Sequence, residues 1–199
     1  MNEKSKTLKI TILALMTALI MLFSFTPLGS VPIGPLVITL NVIPVAISAI
    51  VLGPAGGATV GGIFGFLSFL QCFGIGVPSG MGEILVGINP LLAFLQRFLP
   101  RVLEGLLAGF VYKAFRKKSP YVASAVTGFS TAFFNTVFFM SALVLFFGNT
   151  EYVQGLIGGR NIIVFVCMFV GINAVVEMIT ATLAVGAVGA ALVKAKVIR

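Results

Sequence analysis

The sequence predicts an all-α integral membrane protein with six transmembrane helices and both termini in the cytoplasm. Of its 199 residues, 59% are hydrophobic and only 9% are charged, and the mean hydropathy is +1.16. A soluble fold could not bury that much apolar surface. The apolar runs are long enough to cross a bilayer as helices, whereas a barrel would show short alternating segments. A single membrane domain over residues 1–199 follows.

Six apolar runs are separated by glycine-rich, proline-rich or basic turns. A basic lead precedes the first run, so a secretory signal is an alternative to a first helix. The run is long for a signal, and no small-x-small cleavage site follows it. The third run carries Gly61, Gly62 and Gly65, which would allow close helix packing. The predicted spans are about 8–25, 40–52, 58–73, 89–112, 121–147 and 161–193.

The basic residues indicate the orientation of the chain. Three precede the first span, four lie between the fourth and fifth spans, and three follow the sixth, so ten of the thirteen Lys and Arg fall on one side. The positive-inside rule places that side, with both termini, in the cytoplasm. Residues 26–44, 74–87 and 148–160 are then external. Because the charges sit at helix ends, the net charge of +8 does not indicate nucleic-acid binding.

Residues 26–44 (TPLGSVPIGPLVITLNVIP) contain four prolines, two glycines and no charge. Proline excludes a continuous helix here. Irregular apolar backbone at membrane depth is tolerated where protein buries it or where it lines a cavity. We therefore predict a segment that closes over a ligand site, with an ordinary apolar linker as the alternative. Residues 74–87, which hold five glycines and one proline, predict a second flexible loop.

Four ionisable side chains lie inside the predicted spans: Arg97, Arg101 and Glu104 on the fourth, and Glu177 on the sixth. Charges at this depth are costly, so each is a functional candidate. Arg97 lies nearest the external end, and a guanidinium matches a carboxylate with two parallel hydrogen bonds. A purely internal ion-pair network explains the four equally well, and for Arg101 and Glu104 we favour it.

Uncharged polar residues recur at helical spacing on the last three spans. Asn89 and Gln96 are seven apart, and Asn173 precedes Glu177 by one turn. Inward-facing amides either hold helices together or bind a solute. Because these polar residues converge below two external loops, we predict that they contact a ligand together with some of the ionisable side chains. The predicted ligand contacts are Asn41, Asn89, Gln96, Arg97, Asn135, Asn173 and Glu177.

The residue types that are missing exclude much chemistry. The chain has no His and no Asp, so it offers no histidine acid–base pair, no HExxH zinc site and no Asp-rich magnesium motif. Cys72 and Cys167 lack CxxC spacing and are predicted to be inert packing residues. No metal and no cofactor is predicted. An intramembrane enzyme is disfavoured, because Glu104 and Glu177 are the only acidic residues at membrane depth that could take part in catalysis. A purely structural membrane protein is a further alternative, but it would leave the outer loops at residues 26–44 and 74–87 without a function.

Together these features resemble the substrate-binding subunit (S component) of an energy-coupling factor (ECF) vitamin transporter. The resemblance covers nearly the whole chain and includes the size and the six spans. It rests on Ala14-xxx-Ala18, the proline-rich loop running into Asn41-Val-Ile-Pro44, the Leu52-Gly-Pro-Ala-Gly-Gly57 turn, and Pro100-Arg101 with Gly105 and Gly109.

The resemblance implies a non-enzymatic importer subunit in the bacterial plasma membrane, surrounded by lipid. It implies that Ala14 and Ala18 dock a transmembrane coupling subunit, with two cytoplasmic ATPases driving transport. A vitamin would be captured at the outer face and released inside when the subunit reorients. The segments 135–140 and 171–173 resemble pantothenate-type members, with riboflavin, folate and pyridoxine-type vitamins as alternatives.

Overall fold

The computed structural model describes residues 3–27, 29–33 and 36–198, and this part of the chain is helical apart from one short hairpin. Its elements are α1 (Glu3–Phe25), β1 (Ser30–Ile33), β2 (Leu36–Thr39), α2 (Val42–Leu52), α3 (Pro54–Leu70), a 3-10 turn (Gln71–Phe73), α4 (Gly80–Ile88), α5 (Pro90–Phe115), α6 (Pro120–Phe147), α7 (Glu151–Ile157) and α8 (Ile162–Lys194).

Several of these helices are long and apolar enough to cross a membrane, as expected of a multi-pass membrane protein. Within the described residues there are four: Thr7–Phe25, Pro54–Phe73, Pro120–Phe147 and Asn173–Lys194. α7 and the first part of α8 would add a fifth if they form one broken span, bent by 81°. α2 is short, and α5 carries three charged residues in its apolar stretch. The count of six spans therefore stays a prediction.

The proline-broken stretch forms an antiparallel hairpin, which the sequence analysis did not predict. β1 and β2 pair with Ser30 opposite Thr39, and the Leu40 N–H donates to the Gly29 carbonyl at 2.9 Å. Pro44 lies in the first turn of α2, where a missing N–H costs nothing. As predicted, no continuous helix runs through this stretch. Leu28, Gly34 and Pro35 lie outside the described residues.

The predicted loops contain more helix than expected. Gly53 alone makes the turn between α2 and α3: its φ of 80° suits glycine, and Pro54 then occupies the first helical position. The turn that the sequence suggests over residues 52–57 is therefore confined to Gly53, and Pro54 to Gly57 already belong to α3. Residues 74–87 were expected to be a loop, but α4 begins within them because the Ser79 hydroxyl accepts the Gly82 N–H. Residues 148–160 contain α7, which Thr150 caps in the same way.

α3 and α5 pack backbone against backbone. A Cβ on Gly57 would collide with the Gly105 carbonyl, and a Cβ on Gly61 would collide with the Arg101 carbonyl. One turn further along α3, Gly65 lies against Phe98. Because these glycines recur every four residues, they form a stripe that lets the two helices touch. This contact fixes the position of the α5 turn that carries Arg101.

A buried apolar cluster holds the two short helices against the bundle. It joins Leu85 of α4 and Val153 of α7 to Leu143, Phe147 and Phe165 of the long helices. Burial of such side chains stabilises a contact by roughly 1.5–3 kcal/mol each where water is the alternative environment. The short helices are therefore fixed beside the ends of α5, α6 and α8.

α1 packs on α2 and α3 with one face only. Met16 and Ile20 are buried in that contact, whereas Ala14 and Ala18 are exposed. The two cysteines are free, Cys72 buried and Cys167 exposed. The packing role predicted for Cys167 is therefore wrong, because its position on α8 faces away from the bundle.

Candidate functional site

One cavity lies where α5, α6 and α8 meet the end of the hairpin and the segment before α4. Its space, including the open mouth and the solvent in it, is about 780 Å³. Its apolar wall consists of Phe64, Val77, Met81, Phe139, Met140, Val170 and Ala174. Its polar lining consists of Thr39, Ser68, Gln71, Ser79, Arg97, Arg101, Asn135, Thr136, Asn173 and Glu177.

Two buried arginines dominate the charge of this cavity. Arg97 and Arg101 are one turn apart on α5, and only 6% and 5% of their surfaces are exposed. Both guanidinium groups lie over the ring of Phe139, at 5.1 and 4.4 Å from its centroid. Arg101 also lies 5.2 Å from the centroid of Phe64. The aromatic faces stabilise these cations without neutralising them.

The segment before α4 orients Arg97. Its Nη2 donates to the Ser79 hydroxyl at 3.0 Å. Gly82 leaves room for this arrangement, because a Cβ there would lie 2.5 Å from the Cys72 sulfur and 3.0 Å from Arg97 Nη2. Arg97 is thereby held in one orientation before any ligand arrives.

Hydrogen-bonding capacity at the site is left unused. Arg97 Nε, Arg101 Nε and Nη1, and Asn135 Oδ1 are buried without a hydrogen-bond partner among the described residues. Buried polar atoms without partners are costly, more so when the group is charged. The site is therefore complementary to an anion that also carries hydrogen-bond donors.

Glu177 fastens the hairpin to the cavity. Its Oε1 accepts the Thr39 backbone N–H at 2.7 Å, and its Oε2 accepts from Asn135 Nδ2 at 3.3 Å. The Thr39 hydroxyl in turn accepts the Asn41 N–H at 3.2 Å. This single carboxylate thus joins α6, α8 and the end of β2, while Arg101 interacts with it only electrostatically.

The end of α1 anchors both segments that border the cavity. The Ser24 carbonyl accepts from Gln71 Nε2 at 3.0 Å and from the Val77 N–H at 3.1 Å. The Ser24 hydroxyl accepts from Asn41 Nδ2 at 3.3 Å. The helix with the exposed alanines is therefore connected directly to the surroundings of the site.

The structure brings four of the seven predicted contact residues to the cavity: Arg97, Asn135, Asn173 and Glu177. The other three have other positions. Asn89 is the N-cap of α5, where its Oδ1 accepts the Leu92 N–H at 3.1 Å. The Asn-Pro pair that begins α5 is a signal for this role. Asn41 binds Ser24, and Gln96 is fully buried away from the lining with its amide unpaired.

Arg101 contributes more to the cavity than the sequence predicts. The sequence analysis favours an internal ion-pair network for Arg101 and Glu104, but both carboxylate oxygens of Glu104 lack a hydrogen-bond partner in the described part of the chain. Arg101 turns to Phe64 and Phe139 instead, and its interaction with Glu104 is electrostatic only. Nothing in the sequence of α6 predicts that Phe139 meets the two arginines, which come from α5.

Comparison with known proteins shows the family of this chain. Residues 8–189 match the family model for the ECF transporter, substrate-specific component. The chain belongs to this family. The family is a transporter substrate-binding component, not an enzyme family. For this substrate-specific component, membership implies association with an energy-coupling module and a small-molecule vitamin.

Two relatives of the substrate-specific component cover nearly its whole length. The pantothenate transporter PanT of Leuconostoc mesenteroides is 32% identical over 202 residues, which cover 96% of this chain and 94% of that protein. The pantothenic acid transporter PanT of Lactococcus lactis is 29% identical over 208 residues, which cover 98% of each chain.

Proposed function

We propose that this protein is the pantothenate-binding subunit of an ECF importer in the bacterial plasma membrane. The observation that carries the proposal is the pair Arg97 and Arg101, both buried at one cavity and both stacked on Phe139. A carboxylate between their N–H groups would receive charge-assisted hydrogen bonds, which are about twice as strong as neutral ones. The names of the two relatives support pantothenate as the source of that carboxylate.

The rest of the lining suits the rest of pantothenate. Its hydroxyls and amide can donate to Asn135 Oδ1, which is buried and unpaired, and to the Glu177 carboxylate. Asn173 and Thr136 offer further polar contacts. Riboflavin and pyridoxine lack a carboxylate for the arginines, and folate brings two carboxylates and a long aromatic body. Pantothenate therefore leaves the fewest site atoms unpaired.

Six spans with both termini in the cytoplasm fit this function. In that orientation the cavity and the hairpin face outwards. α5 can cross the membrane despite its charges, because Arg97, Arg101 and Glu104 are all buried inside the bundle. ATP-driven reorientation would then carry the bound vitamin to the inner face.

The experiment is a binding screen of the purified protein against water-soluble vitamins, read by thermal shift and titration calorimetry. Pantothenate should raise the unfolding temperature and bind one to one. Riboflavin, folate and pyridoxine should leave the temperature unchanged. Saturable binding of one of those three without pantothenate binding would contradict the proposed substrate.

The exposed face of α1 is proposed to dock the transmembrane coupling subunit, which joins two cytoplasmic ATPases. Ala14→Phe with Ala18→Phe should leave pantothenate affinity unchanged but abolish uptake in cells with the coupling module, because bulky rings prevent close helix contact. Ala187 and Ala191 on α8 are also exposed and four residues apart, so the same double change there is the matched control. Equal loss of uptake in both variants would contradict the assignment.

Glu177 is proposed to hold the hairpin closed over bound pantothenate. Glu177→Ala should raise the dissociation rate by roughly 10- to 100-fold, because a hydrogen bond to a charged group contributes about 1.5–3 kcal/mol. Glu177→Gln keeps one acceptor and should give a smaller increase. Washout of radiolabelled pantothenate measures the rate, with the exposed Glu151→Ala as control. An unchanged rate in Glu177→Ala would rule out this role.

A further inference from the structure

A second polar pocket lies where α2, α5 and α8 end. It is lined by Ile50, Val51, Tyr112, Arg116, Lys196, Val197 and Ile198, and its space with the open mouth is about 730 Å³. Tyr112 follows Arg101 by eleven residues on α5, which places it about 16 Å further along the helix. The pocket is therefore separate from the proposed vitamin site.

The chain after α8 folds back to form one wall of this pocket. The Val197 N–H donates to the Leu192 carbonyl and the Lys196 N–H to the Val193 carbonyl, each at 3.0 Å. This is the hydrogen-bond pattern of a helix end that usually has glycine at its left-handed position. Here that position is Lys196, with φ of 58°. Ile198 is buried against Ile50 and Tyr112, which fixes the turn.

The left-handed position therefore holds a lysine where glycine would be less strained. A lysine at this position places a charge at the pocket that glycine could not supply. We interpret the strained backbone of Lys196 as tolerated because it brings the lysine charge to the pocket.

The positive charge of the pocket exceeds what the helix ends require. Lys113 and Lys194 already lie in the last turns of α5 and α8, where cations offset the partial negative charge of the carbonyl ends. Arg116 and Lys196 lie beyond those turns and have no ion-pair partner among the described residues. Tyr112 is only 3% exposed, and its hydroxyl is buried without a hydrogen-bond partner.

We propose that this pocket binds the phosphate group of an anionic phospholipid. A guanidinium and an ammonium at the rim, with an unpaired phenol below them, are the donors that a phosphate prefers. Ile50, Val51 and Val197 give the pocket an apolar side. Phe115, next to Arg116 in the chain, is exposed near the end of α5, where it can contact acyl chains. A free phosphate could make the polar contacts with Arg116, Lys196 and Tyr112, but it has no acyl chains for the apolar contacts.

The test is titration of phosphatidylglycerol into the detergent-solubilised protein, followed by native mass spectrometry and by the unfolding temperature. Phosphatidylcholine and inorganic phosphate are the parallel arms. The variant is Arg116→Gln with Lys196→Gly, because glycine keeps the left-handed turn without strain. The control is Lys117→Gln with Lys118→Gln, which removes two exposed cations outside the pocket lining.

Phosphatidylglycerol should bind and stabilise the natural protein more than phosphatidylcholine does. The pocket variant should bind it about tenfold more weakly than the control variant, while its lipid-free unfolding temperature is equal to or above that of the natural protein. Tyr112→Phe should also weaken binding. An equal loss of phosphatidylglycerol binding in the control variant would overturn the proposal that this pocket is the binding site. An equal stabilisation by inorganic phosphate, lost in the pocket variant, would show that the ligand is free phosphate and not a lipid.

Discussion

Arg97→Met is expected to weaken pantothenate binding about a hundredfold. Removing one partner of a buried, hydrogen-bonded charge pair typically costs about 2–5 kcal/mol, much of it because the other charge is left unpaired. Arg101 stays in place and limits the loss. Arg97→Lys should give an intermediate affinity, because an ammonium keeps the charge but not the planar fork that Ser79 and Phe139 hold in one orientation. Titration calorimetry measures all three affinities.

Two comparisons separate a carboxylate contact from a folding defect. Arg160→Met removes an exposed arginine outside the cavity and should leave the affinity unchanged. The alcohol analogue of pantothenate, which lacks the carboxylate, should bind the natural protein weakly and lose little more in Arg97→Met. If the variant loses affinity equally for the acid and the alcohol, Arg97 does not bind the carboxylate.

Gly61→Ala is expected to destabilise the protein by about 2 kcal/mol or more and to lower its affinity for pantothenate. A Cβ at this position collides with the Arg101 carbonyl, so α3 and α5 have to separate. Overpacking of a core costs about 1–3 kcal/mol when side chains can adjust, and here the obstacle is main chain. The same separation moves the α5 turn that places Arg101 over Phe139. Thermal unfolding and pantothenate titration measure the two effects.

The adjacent glycine provides a matched control for this prediction. A Cβ on Gly62 would lie 3.5 Å from the ring of Phe98, which is an ordinary contact. Gly62→Ala should therefore be neutral or stabilising by up to about 1 kcal/mol, because alanine favours the helix. Equal unfolding temperatures for the two variants would show that the α3–α5 contact is looser than the structure indicates.

The cost of burying charge explains which site residues could be predicted. Arg97 and Glu177 were identified because an ionisable side chain inside an apolar run needs a reason to be there, and both lie at the cavity. The amides were harder, because an asparagine can cap a helix, hold helices together or bind a solute. Asn135 lies at the cavity, whereas Asn89 caps α5.

The contacts that cross between helices could not be predicted. Spacing along α5 allows Arg101 to pair with Glu104, but Arg101 packs on Phe139, which is 38 positions away in the sequence and belongs to α6. Ser79 and Thr39 were missed for the same reason. Each lies in a segment whose own residues show only that a continuous helix is broken.

The amino-acid sequence by itself determined that this protein is a membrane helix bundle with a few buried charges and a proline-broken segment. Those properties follow from composition and local backbone chemistry, which need no knowledge of neighbouring helices. Only the tertiary structure decided that two arginines share one aromatic ring, that Glu177 holds the hairpin, and that Lys196 faces a second pocket. Each of these depends on side chains far apart in the sequence that meet when helices pack, and no periodicity within a single helix specifies that partner.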